Sequence, residues 1–156
     1  MTKKLICILL AFSLLLCASC SSAKSDLPGN VIWDMTQTQV TQAVGEQRIT
    51  QGSSEGILNW LQTEELKDIY GGHTVSVAYI FVSDALRSIT VQILVNEGES
   101  IQDAKVATRT VMENTFGNAT EADGAVQWQT DTTTVKMLDV EGAEGFFVVT
   151  YSPPIK

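Results

Sequence analysis

The alternation of apolar and polar residues along this chain predicts an antiparallel sheet as the main element of its fold. Two consecutive runs have the period of two that is typical of half-buried strands. Their apolar positions are Val75, Val77, Tyr79, Phe81, Ile89, Val91, Ile93 and Val95. A short turn at 83–85 separates the runs, so they predict a hairpin. The same period and the turns between segments predict further strands at 48–51, 57–62, 125–130, 133–140 and 146–152.

Two segments carry helix signals instead. Residues 36–39 (TQTQ) match a capping box, in which Thr36 and Gln39 each accept a hydrogen bond from the other's backbone N–H. Gly45 provides a stop, so this helix is predicted over 37–44. Ser100 is the predicted N-cap of a second helix over 101–116, which Gly117 ends.

The order of these elements predicts an α+β domain, with two helices packed on one face of an antiparallel sheet. A divergent tandem of two helix-plus-sheet modules is an alternative that the sequence leaves open. Residues 64–70 fit either one helical turn or an irregular loop. Residues 118–124 are polar and predict a loop.

The N-terminus has the pattern of an export signal. Lys3 and Lys4 precede an apolar run over 5–18, which is shorter than the roughly 20 residues needed to span a bilayer. Residues 17–20 (CASC) resemble the bacterial lipobox, and this resemblance implies a signal peptide over 1–19 and a lipid on Cys20. An ordinary secretory signal with a chance cysteine is the alternative.

We expect a flexible tether over 20–30 and a single domain over 31–156.

Charge and cysteine content are consistent with an exported, lipid-anchored domain. The chain has 10 basic and 18 acidic residues, a net charge of −8, which excludes a basic nucleic-acid-binding protein. Cleavage after residue 19 removes two lysines, so the mature net charge is −10. The 3 cysteines all lie within the first 20 residues, so no disulfide is expected in the domain.

The first predicted helix also resembles part of a known family. Residues 35–45 (MTQTQVTQAVG) are similar to the opening helix of small outer-membrane assembly lipoproteins, the SmpA/OmlA family, in which a tryptophan such as Trp33 often precedes the helix. Asp34 and Glu46 stand where that family usually has glycine and proline. The resemblance implies a fold, shared with the β-lactamase inhibitory proteins, that packs a helical element on an antiparallel sheet.

The sequence selects no catalytic or metal-binding constellation. His73, the single histidine, is predicted to lie at the surface or at a strand edge. Acidic groups such as Glu64, Glu65 and Asp68 lack calcium-loop spacing and are interpreted as solvated loops. No cofactor is expected. Trp33, Trp60 and Trp128 are expected mainly in the core.

These observations lead to a function hypothesis: a non-catalytic envelope lipoprotein that binds another protein. An inhibitor of a secreted or periplasmic enzyme and a small hydrolase are the alternatives. The domain is expected on the extracytoplasmic side, with membrane contact through its lipid alone. Strand alternation turns a set of polar residues away from the helices, and these are the predicted partner-binding residues: Ser88, Thr90, Gln92, Gln127 and Gln129.

The lipobox assignment has a direct test. We expect the Cys20→Ala protein to lose incorporation of a radiolabelled or clickable fatty acid and to leave the detergent phase. Cys17→Ala is the matched control and retains both properties. Acyl labelling that persists without Cys20 would show that the assignment is wrong.

Overall fold

The computed structural model describes residues 25–122 and 124–154. The predicted signal peptide over 1–19, the acylation site Cys20 and residues 21–24 of the predicted tether therefore lie outside the described residues. No helix in the described part of the chain is both long and apolar enough to cross a membrane.

Eight strands form one antiparallel sheet, which dominates the α+β fold. The strands are β1 (Thr50–Gln51), β2 (Ile57–Thr63), β3 (Val75–Val82), β4 (Ala85–Leu94), β5 (Thr120–Ala122), β6 (Ala125–Gln129), β7 (Thr134–Leu138) and β8 (Phe146–Ser152). Their order across the sheet is β1-β2-β3-β4-β8-β7-β6-β5. Each half of the chain is thus a meander of four strands, and the last strands of the two meanders pair with each other.

A helix precedes each meander, with the bounds that the sequence predicts. The first, α1, is Gln37–Val44, and the second, α2, is Ile101–Phe116. The capping box of α1 is complete: Thr36 Oγ1 accepts from the backbone N–H of Gln39 at 3.3 Å, and Gln39 Oε1 accepts from that of Thr36 at 2.9 Å. Ser100 Oγ caps α2 by accepting from the backbone N–H of Asp103 at 3.1 Å.

The β3–β4 turn connects the first hairpin to α1. Ser83 and Asp84 have φ angles of 51° and 58°, which is the left-handed geometry that a two-residue hairpin turn requires. Asp84 Oδ1 accepts a hydrogen bond from the backbone N–H of Gln37 at 3.1 Å. A carboxylate at a helix N-terminus also interacts favourably with the helix dipole. The turn therefore helps to hold the start of α1.

Alternation along the strands gives the sheet a buried inner face and a less covered outer face. The burial pattern of β3 alternates from Val75 onwards, and β8 alternates in the same way. Val91 and Val149 are paired across the sheet centre, and both are fully buried on the inner face. The core cluster joins these inner-face residues with Val40 and Val44 of α1 and with residues of α2.

Two segments differ from their predictions, and a third is decided between two alternatives. Residues 118–124 contain the edge strand β5, which forms because its backbone pairs with β6, although its side chains are exposed. Of the two alternatives for residues 64–70, the structure has the single helical turn, a 3-10 turn at Lys67–Ile69. The predicted strand over 48–51 is shorter, because a 3-10 turn occupies Glu46–Arg48 and leaves only Thr50–Gln51 as β1.

The C-terminal part of the predicted tether, which the structure describes from residue 25 onwards, is packed against the domain. Leu27 is 6% exposed and belongs to the core cluster. The carbonyl oxygen of Pro28 accepts a hydrogen bond from Tyr79 Oη at 3.1 Å. Gly29 has a φ of +85°, and a Cβ on it would lie 2.5 Å from Tyr79 Oη, so only glycine fits this approach. Residues on the N-terminal side of position 31 therefore pack as part of the domain.

The capping box predicts a measurable loss of stability. We expect Thr36→Ala to lower the free energy of unfolding by about 1 kcal/mol, because the N–H of Gln39 loses its acceptor. Thr38→Ala is the matched control. Thr38 is an exposed residue in the first turn of α1, and we expect its substitution to change the free energy of unfolding little. Equal denaturant midpoints for the two variants would contradict this role for Thr36.

Candidate protein-binding face

The predicted partner-binding residues share the outer face of the sheet. One row of side chains crosses all eight strands, because each residue in it is the ladder partner of the next. In spatial order the row is Thr50, Asn59, Ala78, Thr90, Thr150, Lys136, Gln127 and Thr120. Neighbouring residues in such a row lie close enough to contact one partner together.

The outer face is almost free of charge in a strongly acidic chain. Lys136 is the only charged residue at the ladder positions of this face in the described strands, and none is acidic. Arg87, the exposed bulge residue of β4 beside Ser88, is charged as well and pairs with Asp34. The other positions are Thr50, Ile57, Asn59, Ser76, Ala78, Ile80, Val82, Ala85, Ser88, Thr90, Gln92, Leu94, Thr120, Ala122, Ala125, Gln127, Gln129, Thr134, Leu138, Phe146, Val148, Thr150 and Ser152. Most of them are half-buried or exposed, whereas Ala125 and Thr134 are buried.

Apolar side chains occupy one end of the outer face. Leu94 of β4 pairs with Phe146 of β8, and Val148 of β8 pairs with Leu138 of β7. All four side chains are half-buried, so part of their surface meets solvent. Because the central strands β4, β8 and β7 are adjacent, these residues form one apolar group beside the polar row.

The five predicted partner-binding residues all lie on this face. Ser88, Thr90 and Gln92 alternate along β4, and Gln127 and Gln129 do so along β6, two strands beyond β8. Thr90 and Gln127 belong to the same row, separated by Thr150 and Lys136. Ser88 is partly engaged within the sheet, since its hydroxyl donates to the carbonyl oxygen of Tyr151 at 3.2 Å.

The prediction that His73 lies at the surface is wrong, because the side chain is 1% exposed. Its Nδ1 lies 2.7 Å from the carbonyl oxygen of Tyr70, and its Nε2 lies 2.9 Å from Glu99 Oε2. Each ring nitrogen of His73 therefore lies within hydrogen-bond distance of an oxygen from another segment of the chain. His73 therefore joins the segment around Tyr70 to the loop before α2.

Glu99 is the partly exposed member of this contact. The hydrogen bond from His73 lowers the pKa of the Glu99 carboxyl, and Asn96 Nδ2 contributes a second hydrogen bond at 3.1 Å. Glu99 stands just before the Ser100 cap of α2. The contact therefore fixes the start of α2 against the strand that follows His73.

A pair of buried tyrosines lies next to this contact. The hydroxyls of Tyr70 and Tyr151 are 2.9 Å apart, and Thr108 Oγ1 of α2 donates to the carbonyl oxygen of Tyr70 at 3.2 Å. Burial raises the pKa of both phenols, so both keep their protons. These bonds connect α2 and the 64–72 segment to β8, which makes the cluster a structural one.

Within residues 25–122 and 124–154, no three His, Cys, Asp or Glu side chains come together as a metal-ligand set. A groove of ≈ 390 Å³ runs between α2 and β6. Its two cations are already paired, Lys105 with Asp139 and Arg109 with Glu113 and Glu121. Trp60 and Trp128 are buried in the core as predicted, whereas Trp33 is half-buried.

Comparisons with protein-family models, with curated proteins and with solved structures find no match to this chain. The resemblance of residues 35–45 to the SmpA/OmlA helix therefore stays a prediction.

The lowered pKa of Glu99 predicts a pH-dependent stability. A carboxyl whose pKa is lower in the folded than in the unfolded protein stabilises the fold above its ordinary range, about pH 4 to 5, and loses that contribution as the pH falls. We expect Glu99→Gln to lower the unfolding temperature at pH 7, with a difference from wild type that shrinks below about pH 4. Glu97→Gln, an exposed site in the same loop, is the control. The same pH dependence in both variants would contradict the prediction.

Proposed function

We propose that this chain is a lipoprotein anchored through Cys20 in the cell envelope, and that its extracytoplasmic domain is non-catalytic and binds another protein through the outer face of the sheet. The observation that carries the proposal is the near absence of charge at the ladder positions of that face. The chain has 18 acidic residues, and within the described strands none of them stands at a ladder position of the outer face. Depletion of charge, with retained polar groups, is typical of the central part of protein interfaces.

The energetics of desolvation support a protein as the partner. Covering Thr90, Gln92 and Gln127 removes hydroxyl and amide groups from water, which costs much less than burying carboxylates or ammonium groups. Their donors and acceptors can be satisfied by polar groups of a partner. Leu94 and Phe146, at the apolar end of the face, provide the hydrophobic contact that such an interface also needs.

The proposal includes both helices lying over the inner face, so that only the outer face is open. Val40 and Val44 of α1 and Ala104 and Met112 of α2 belong to one core cluster with the inner-face residues, which supports this arrangement. A sheet covered on one side has a hydrated second face. That face is then free for a partner without any rearrangement of the domain.

A pair of arginine substitutions tests the docking face. We expect the double variant Thr90→Arg, Gln129→Arg to lose at least tenfold in affinity for the native partner that the wild-type lipoprotein captures from solubilised envelopes. The physical reason is that two new charges must be buried without partners. Affinity is measured with the purified partner by titration calorimetry.

The control carries the same charge change elsewhere. Gln102→Arg with Asn114→Arg places two arginines at exposed positions of α2, and we expect this variant to bind like wild type. Thermal unfolding verifies that both double variants are folded. An outer-face variant that is folded and binds the same partner with unchanged affinity would rule out the outer face as the docking surface.

A further inference from the structure

The first described residues hold the N-terminal side of the domain in one place. Ser25 Oγ donates to the carbonyl oxygen of Val31 and accepts from the backbone N–H of Leu27 at 3.1 Å. Leu27 is buried in the core, and Gly29 lies against Tyr79. Ser25 is therefore a fixed point of the domain surface, although it lies within the segment that the sequence predicts as a flexible tether.

This fixed point lies on the inner-face side of the sheet. Ser25 lines a groove of ≈ 480 Å³ together with Val44 at the end of α1, Trp60 of β2 and Phe116 at the end of α2. Trp60 belongs to the inner face, because it is buried and pairs with the buried Val77. The chain thus enters the domain on the side of the sheet opposite to Thr90 and the outer row.

The chain between the acylation site and Ser25 is short. Five residue steps separate Cys20 from Ser25. Fully extended, they reach about 17 Å, and as a flexible chain their root-mean-square span is about 12 Å. A domain of this size has a radius of gyration of about 14 Å and is more than roughly 30 Å across. Even when fully extended, the tether is therefore too short to pass around the domain and bring the outer face to the bilayer.

We propose that the lipid surface is a second binding partner of this domain, which replaces the expectation from the sequence that the lipid is its sole membrane contact. The surface around Ser25, Ala43 and Ile69, here called the groove end, rests against the bilayer. This inference builds on the lipid anchor of the proposed function. The outer face then points away from the bilayer, towards proteins in the surrounding compartment. The short tether therefore acts as an orienting device as well as an anchor.

Site-specific fluorophores measure this orientation in the intact acylated protein. The mature domain has no cysteine other than the acylated Cys20, so one introduced cysteine is a unique labelling site. Ala43→Cys labels the groove end, and Thr90→Cys labels the outer face. Each labelled protein is reconstituted in phosphatidylcholine vesicles that contain a lipid with a nitroxide headgroup. We expect at least threefold stronger quenching at position 43 than at position 90.

A linker variant separates the effect of the tether from other causes. Insertion of a 20-residue Gly/Ser linker between Lys24 and Ser25 lengthens the flexible span to more than roughly 25 Å, and we expect the quenching ratio to fall towards one. Equal or stronger quenching at position 90 in the original protein would overturn the orientation, and a ratio unchanged by the linker would overturn the tether as its cause. Failure of the acylated protein to float with the vesicles would instead contradict the lipid anchor itself.

Discussion

The pairing of β4 with β8 is the interaction on which the rest of this structure depends. It joins two meanders, each preceded by a helix, into one sheet of eight strands. Ile89 pairs with Tyr151 and Val91 with Val149, all buried, so this junction is also the centre of the core. Without it, each half would be a four-stranded sheet with a second exposed edge and with half of the apolar inner face.

The same junction creates the candidate site. The polar row on the outer face is continuous only because Thr90 of β4 and Thr150 of β8 are ladder partners. Two further features favour the outer face as a surface for a partner. Acidic residues are absent from the ladder positions of this face in the described strands, and the chain enters the domain on the opposite side, beside Trp60. A surface that a partner can cover at low desolvation cost is therefore directed away from the proposed anchor.

Polar contacts between distant segments complete the fold. His73 connects the start of β3 to Glu99 before α2, and Tyr70 connects the preceding turn to Tyr151 of β8. Both ring nitrogens of His73 lie within hydrogen-bond distance of oxygens from other segments. Buried polar groups of this kind stabilise one arrangement of the elements, because each requires its particular partner.

Sequence alone determined the features that depend on local interactions. The bounds of α1 and α2 follow from caps within four residues of each helix end, and the β3–β4 hairpin follows from a period of two on either side of a short turn. The prediction that Thr90 and Gln92 share a face also needed only alternation.

Tertiary structure decided what depends on distant partners. β5 forms by pairing with β6, His73 is buried by Glu99, and Pro28 is held by Tyr79, 51 positions away. The row from Thr90 to Gln127 exists only through the order of β4, β8, β7 and β6. Alternation specifies which side a residue faces, whereas the neighbour of each strand is selected by the packing and hydrogen bonding of the whole sheet.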